Sequence, residues 1–310
     1  MSKQVTLSNG RTITKLKPVK TRPTLVIPMP EVPQYALSRI AVGSTHNIAL
    51  KADGTIVGWG RNNLGQLNVP ADLTDAIGLV AGASHTLAVR ENRTLVAWGS
   101  NSNGQCNVPP ELGNVKQIAA GTSHSMALLE DGTIAAWGNN SYGQLNIPAG
   151  LNGVKQIATK NYHNLALLED GTVVGWGYNV NGEINIPAGL TNVKEIGCGA
   201  YHSMAIKEDG TVIMWGKNDY GQSTVPADLP PFKKIVLGGA YNLAIKEDGT
   251  VFGWGINNNN QIGGAANLTN VVELGTANLN AMALMADGSV VAWGSNTWGQ
   301  NNVPEGLNLN

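Results

Sequence analysis

Tryptophan recurs every 39 residues in this chain, at Trp59, Trp98, Trp137, Trp176, Trp215, Trp254 and Trp293, each opening a Trp-Gly pair. An asparagine stands three residues after each of them, from Asn62 to Asn296, with no insertion anywhere in the series. Self-similarity at a fixed period outranks other signals, because a repeat unit buries its apolar face only against its neighbours. The 310 residues therefore read as a non-repeating arm over 1–36, an array from about Leu37 to Pro304 and a short tail, the array and tail together forming one domain over 37–310.

Within a unit the apolar period is two. The runs VKQIAAG, HSMALL, TIAAWG and QLNIP of the third unit are short, alternate, and end in turn residues, so each reads as a strand. Asp-Gly between the second and third runs fits a two-residue type I′ hairpin, although the second unit carries Asn92-Arg93 there. Four antiparallel strands repeated seven times specify an all-β fold, a seven-bladed β-propeller. The first strand of each unit ends in small residues, as the crowded centre of a propeller requires. The repeated tryptophan then fills the space between blades, where its indole N–H needs a partner.

The pattern GxxHxxAL…DGTVxxWGxNxxGQxxVP resembles the regulator-of-chromosome-condensation repeat over about 265 residues. The short, uniform units are most similar to the bacterial branch that includes the propeller-type β-lactamase inhibitory protein. That resemblance implies a propeller that binds a protein partner through two classes of loop. Guanine-nucleotide exchange is implied more weakly, because the exchange factors of this family carry a wedge-like insertion and every unit here has one length.

All five histidines, His46, His85, His124, His163 and His202, occupy one repeat position, where units six and seven carry Tyr241 and Asn280. One imidazole per blade disperses the set around the ring. No common point then lies about 2.0–2.1 Å from several of them, as zinc requires, and a hydrogen bond to backbone at a strand start is the expected role. The Asn after Trp-Gly and the Gln of the GQ pair, replaced by Glu183 in unit four, are expected to close their loop by side-chain bonds. No nucleophile stands beside an ordered base, and no paired carboxylates or phosphate loop occur. The expectation is a non-enzyme that takes no cofactor and no metal.

If successive strands run up and down, the GxxH and NxxGQ loops share one face and the Asp-Gly turns share the other. Tyr162, Tyr201 and Tyr241 belong to GxxH loops, and Tyr142, Tyr178 and Tyr220 to NxxGQ loops. Trp298, Leu64 and Leu279 fall on the same face. Unit four is the most altered, with Lys160 in place of the loop glycine, followed by Asn161 and Tyr162. Aromatic residues at loop positions that vary between units suit a binding surface better than a framework. The expected protein-binding set is Tyr142, Lys160, Asn161, Tyr162, Tyr178, Tyr201, Tyr220, Tyr241, Leu279 and Trp298, its tyrosines and Trp298 substantially exposed.

The arm carries six basic residues and no acid from Met1 to Arg22, and VTLSNGRTIT predicts a hairpin about Asn9-Gly10. The extended TLVIPMPEVP that follows could pair near the ring seam or dock on a larger assembly. The second reading of function is therefore a structural component, for example of a virus particle, held by its arm. A net charge of −1 draws in neither nucleic acid nor an anionic membrane. No export signal or apolar run of membrane-spanning length is evident. Cys106 and Cys198 occupy unmatched positions. The expected location is therefore the cytoplasm or a virus particle, with the cysteines reduced.

Overall fold

The computed structural model describes residues 4–6, 12–14 and 37–310. The chain divides into two compact units, Met1–Val32 and Pro33–Asn310. In the first, Gln4–Thr6 pairs antiparallel with Thr12–Thr14, Gln4 opposite Thr14, so the strands bracket Asn9-Gly10. The turn itself, the basic residues of the arm and the TLVIPMPEVP segment lie outside the described residues.

The second unit holds seven three-stranded antiparallel sheets in chain order, one per repeat, here called blades 1 to 7. Blade 3 is typical: Val115–Ala120, His124–Leu129 and Ile134–Gly138, with Ser125 opposite Trp137. The middle strand is almost wholly buried, because both its faces are covered by neighbouring blades. First strands touch first strands around the whole circle, and Val271–Thr276 of blade 7 meets Ile40–Val42 of blade 1. The ring is closed. Small residues at its centre are required by contact: a Cβ on Gly275 would lie 2.7 Å from the Val42 side chain.

Two local expectations are corrected. The segment after GQ forms no fourth strand. Its backbone folds into tight turns, Asn146 N–H donating to the Gly143 carbonyl and Ile147 N–H to that of Leu145. A proline then ends it, which removes a ladder donor. The Asp-Gly turn is not type I′, because the aspartates are absent from the positive-φ residues while Gly54 has φ +83°. Lys51 N–H bonds the Thr55 carbonyl and Gly54 N–H the Lys51 carbonyl, a three-residue loop closed by a left-handed glycine. The Asp53 carboxylate accepts from both the backbone N–H and hydroxyl of Thr55, which holds it in this geometry.

Adjacent blades are clasped by polar side chains. The Trp98 indole donates to the Gln66 carbonyl of the preceding blade at 2.9 Å, and five other repeat tryptophans do the same. The histidines bond side chains of the next blade rather than backbone: His85 Nε2 lies 3.0 Å from Ser125 Oγ, and His124 Nε2 2.8 Å from Asn164 Oδ1. Ser125 donates its own proton to the Gln105 carbonyl, so His85 is the donor and is neutral with its proton on Nε2. The partner residue, the tryptophan and the glutamine carbonyl thus form one buried junction between blades. Gly82 explains the glycine of GxxH, since a Cβ there would meet the His85 ring at 2.3 Å and the Gly121 carbonyl at 2.4 Å. Nearer the axis, the Gln117 amide bridges both backbone groups of blade 4 at Ile157, and Gln156 repeats this on Ile196 of blade 5.

Candidate protein-interaction face

Each blade presents three variable positions at one end, and the framework holds each by its backbone. The residue after Trp-Gly donates its N–H to the carbonyl of the residue before the histidine position, as Tyr178 does to Tyr162 at 3.0 Å. The two loop classes therefore share a face. Two residues before the buried Gln, the loop tip donates its N–H to the Gln side chain, Tyr142 to Gln144 at 2.7 Å and Trp298 to Gln300 at 2.8 Å. The asparagine after Trp-Gly accepts from the backbone five residues on in all seven blades, for example from Leu145 onto Asn140. With its N–H held by the buried glutamine, the tip residue turns its side chain outward. Leu64, Tyr142, Tyr220 and Trp298 share this tip position and are about half exposed.

Tyr142, Tyr162, Tyr178 and Tyr201 form a continuous cluster across blades 3 to 5. Tyr142 lies 5.1 Å from both Tyr162 and Tyr178, and Tyr178 lies 6.2 Å from Tyr201, in tilted and edge-on geometries. Tyr162, Tyr178 and Tyr201, expected to be substantially exposed, are instead half-buried by this mutual contact, and desolvation raises the Tyr178 phenol above its ordinary pKa. Beyond Tyr201 the cluster opens into a groove of about 350 Å³ between Tyr201, Tyr220, Lys217 and Leu279. Gly239 and Ala240 line it too, so the groove exists where blade 6 carries no large loop side chain. The Lys217 ammonium sits 5.7 Å from the Tyr201 ring and 3.1 Å from Asp219, which raises its pKa.

Three expected surface residues are not on this surface. Tyr241 is fully buried: it stands at the histidine position, and its hydroxyl donates to the Asn280 carbonyl at 2.7 Å as an inter-blade clasp. Asn161 is buried against blade 3, where its carbonyl accepts from Thr122 at 3.0 Å. Lys160 turns inward, its ammonium bonded to the Thr276 carbonyl and, at 3.1 Å, to the Thr276 hydroxyl. Three residues that the sequence reading passed over are on it. Val180 is 76% exposed in an NxxGQ loop, Arg61 stacks 4.0 Å over Trp298, and Lys217 edges the groove. Aligning the units exposes Val180, since the other blades carry polar residues at its position.

Among the described residues, no cluster of three or more His, Cys, Asp or Glu side chains could hold a metal ion, and no helix is long and apolar enough to cross a membrane. The regulator of chromosome condensation (RCC1) repeat matches residues 38–66, 77–105, 115–144, 154–183, 193–222 and 232–261. The seventh unit, which carries Ala277 and Asn280 in place of the glycine and histidine, lies outside the match. Among solved structures, the chain is similar to Prp20p from Saccharomyces cerevisiae, described with its binding to Gsp1p and histones. Identity is 20% over 77% of this chain and 80% of that one, with a TM-score of 0.66. It is also similar to the ectodomain of the Physcomitrella patens receptor kinase CR4, at 22% identity over 83% and 74% of the two chains and a TM-score of 0.68. The ectodomain of the Arabidopsis thaliana receptor kinase ACR4 gives 21%, 84% and 97%, and 0.68. A comparison with curated proteins gives no match. Six matched repeats, spanning more than half the chain and folded as successive blades of one ring, make this protein a member of the regulator of chromosome condensation repeat family.

Proposed function

We propose that this protein is a non-catalytic binding propeller that engages a protein partner through the tyrosine face of blades 3 to 5. The observation that carries this reading is the cluster of Tyr142, Tyr162, Tyr178 and Tyr201, with Val180 beside it, on loops held to the framework by backbone hydrogen bonds. Large, pre-positioned aromatic side chains give contact area at low entropic cost and dominate interface energetics. The groove at Tyr201 and Tyr220 extends the same surface toward Leu279. The β-lactamase inhibitory protein that the sequence resembles also uses these two loop classes, and Prp20p, alike in fold, is described as binding proteins. Both support the reading, and neither identifies a partner. In this reading the ring over 37–310 is the binding unit and residues 1–36 an accessory arm.

The test is capture from an extract of the native source with the full chain as bait. Proteins retained by the wild type should be lost with Tyr162→Ala and Tyr201→Ala, each substitution weakening binding by about 2 kcal/mol or more. Melting should stay within a few degrees of wild type. Equal capture by wild type and both variants would move the binding site off this face.

A further inference from the structure

We propose that Lys160 is a reactive amine at the head of the central channel, where it captures small neutral aldehydes as imines. Five blades carry glycine at this position, Gly43, Gly82, Gly121, Gly199 and Gly238, and blade 7 carries Ala277. Blade 4 alone places a long side chain there and is rebuilt to hold it. In the other blades the N–H at this position donates to the carbonyl of the histidine-position residue, as Gly121 does to His124 at 3.0 Å. In blade 4 the His163 carbonyl accepts instead from the Thr159 hydroxyl at 2.8 Å. The lysine stem then crosses the channel to Thr276 of blade 7.

The channel encloses about 290 Å³ and is lined by inner strands of all seven blades, with Cys198 and Thr276 near the lysine. That volume admits a molecule of a few carbon atoms. The partners of the amine are a neutral carbonyl and a neutral hydroxyl. Among the described residues no carboxylate lies within ion-pair distance of it. The nearest carboxylates on the inner strands, Glu195 of the channel lining, paired with Lys234 at 2.8 Å, and Glu273, held by Ser38 and the Arg39 amide, stand four residues further along their strands. That is on the order of 13 Å away. The other titratable groups nearby are Cys198, whose thiol burial pushes up, and His163 and His202, whose burial keeps them neutral. No carboxylate offsets desolvation of the ammonium and its two neutral acceptors do so only in part, so burial pulls its pKa down to about 7.

A neutral amine is the nucleophilic form, and desolvation is an established route to a reactive lysine. At pH 7 far more of Lys160 is then unprotonated than of an ordinary lysine, of which roughly one part in 2,500 is. The Nζ lone pair bonds to the aldehyde carbon. The carbonyl oxygen leaves as water with both amine protons, and a carbon–nitrogen double bond remains. No oxidant or reductant enters that step.

The full-length protein is treated with propionaldehyde at pH 7, with cyanoborohydride added to trap imines, and labelling is followed by peptide mapping. Lys160 should react at least ten-fold faster than the exposed Lys194 and Lys233. That advantage should shrink at pH 10, where ordinary lysines also lose their protons. Lys160→Gly restores the residue of five other blades and should fold; peptide mapping should then show no fast lysine, the α-amino group being counted apart because its ordinary pKa of about 7.7–8.0 makes it react early too. Equal or slower reaction at Lys160, an advantage unchanged at pH 10, or a fast lysine that persists in Lys160→Gly would each overturn the proposal.

Discussion

At the scale of single residues, the repeat position is the unit of meaning, and it was legible wherever all seven copies share one role. The tryptophan is such a position. Trp137 is 7% exposed, packs between Leu87 and Val89 of blade 2 and Val115 of its own blade, and bonds Gln105. Trp137→Ala should therefore cost about 3–5 kcal/mol, read as a lowered denaturant midpoint. The histidines were legible as structural but not as inter-blade clasps, because the partner is about 40 residues away in sequence. Their burial has a consequence for pH. Desolvation lowers their pKa values to about 3–4 from the unfolded value of about 6.5. Between those limits the unfolded chain binds protons that the folded ring refuses. Stability is thus complete above about pH 6.5 and falls as the pH drops, by about 1.4 kcal/mol per unit for each histidine. His124→Asn, which copies Asn280 of blade 7, should flatten the decline in melting temperature between pH 7 and pH 5. Identical slopes in variant and wild type would refute the assignment. Tyr241 was misplaced for the same reason: as the sixth member of the histidine position it is a clasp, although it resembles the loop tyrosines in the sequence.

At the scale of the blade, local pattern gave the three ladder strands, and the fourth run misled. Its alternation comes from side chains that the loop needs: a buried Gln holding the tip, an apolar residue on the core and a terminal proline. None of these requires a ladder. The GxxH loop carries its own steric rule, since glycine and histidine compete for one volume. Blade 7 resolves this by exchanging both, Ala277 with Asn280. Gly82→Ala should cost about 1–3 kcal/mol or more, because the added methyl meets a backbone carbonyl as well as the His85 ring. Adding His85→Asn should recover part of that loss in a double-mutant cycle, the residual measuring the contact with the Gly121 carbonyl. Purely additive losses would show that ring and methyl do not compete. Blade 4 meets the same conflict with a changed backbone and Lys160, which is why that lysine could be noticed in the sequence but its direction could not.

At the scale of the whole molecule, seven equal units state the blade number but not how the ends join. The C-terminal tail makes the joint. Leu309 is fully buried with Ile40, Trp59, Met282 and Val290, between the first and last blades. Its carbonyl accepts from Ala52 of blade 1, and its N–H donates to Gly288 of blade 7, both at 2.9 Å. The same bond enters the hairpin of the other blades from the linker that precedes them, as Glu130 N–H bonds the Asn114 carbonyl. The tail therefore supplies at the seam what chain continuity supplies elsewhere. The Gln300 carbonyl completes it by accepting from both Trp59 and Asn47 of blade 1. In arrays stabilised by neighbour contacts, losing one interface of a closed ring leaves an open array with two free ends. Leu309→Ala should lower stability by about 2–5 kcal/mol through the cavity alone. Removing residues 308–310 should go further. Amide exchange should rise first in His46–Leu50 and Asn280–Met285, the middle strands flanking the seam, while His163–Leu168 across the ring keeps its protection. Uniform loss of protection in all three strands would mean that the ring unfolds as one body and that the seam is no weaker than any other junction.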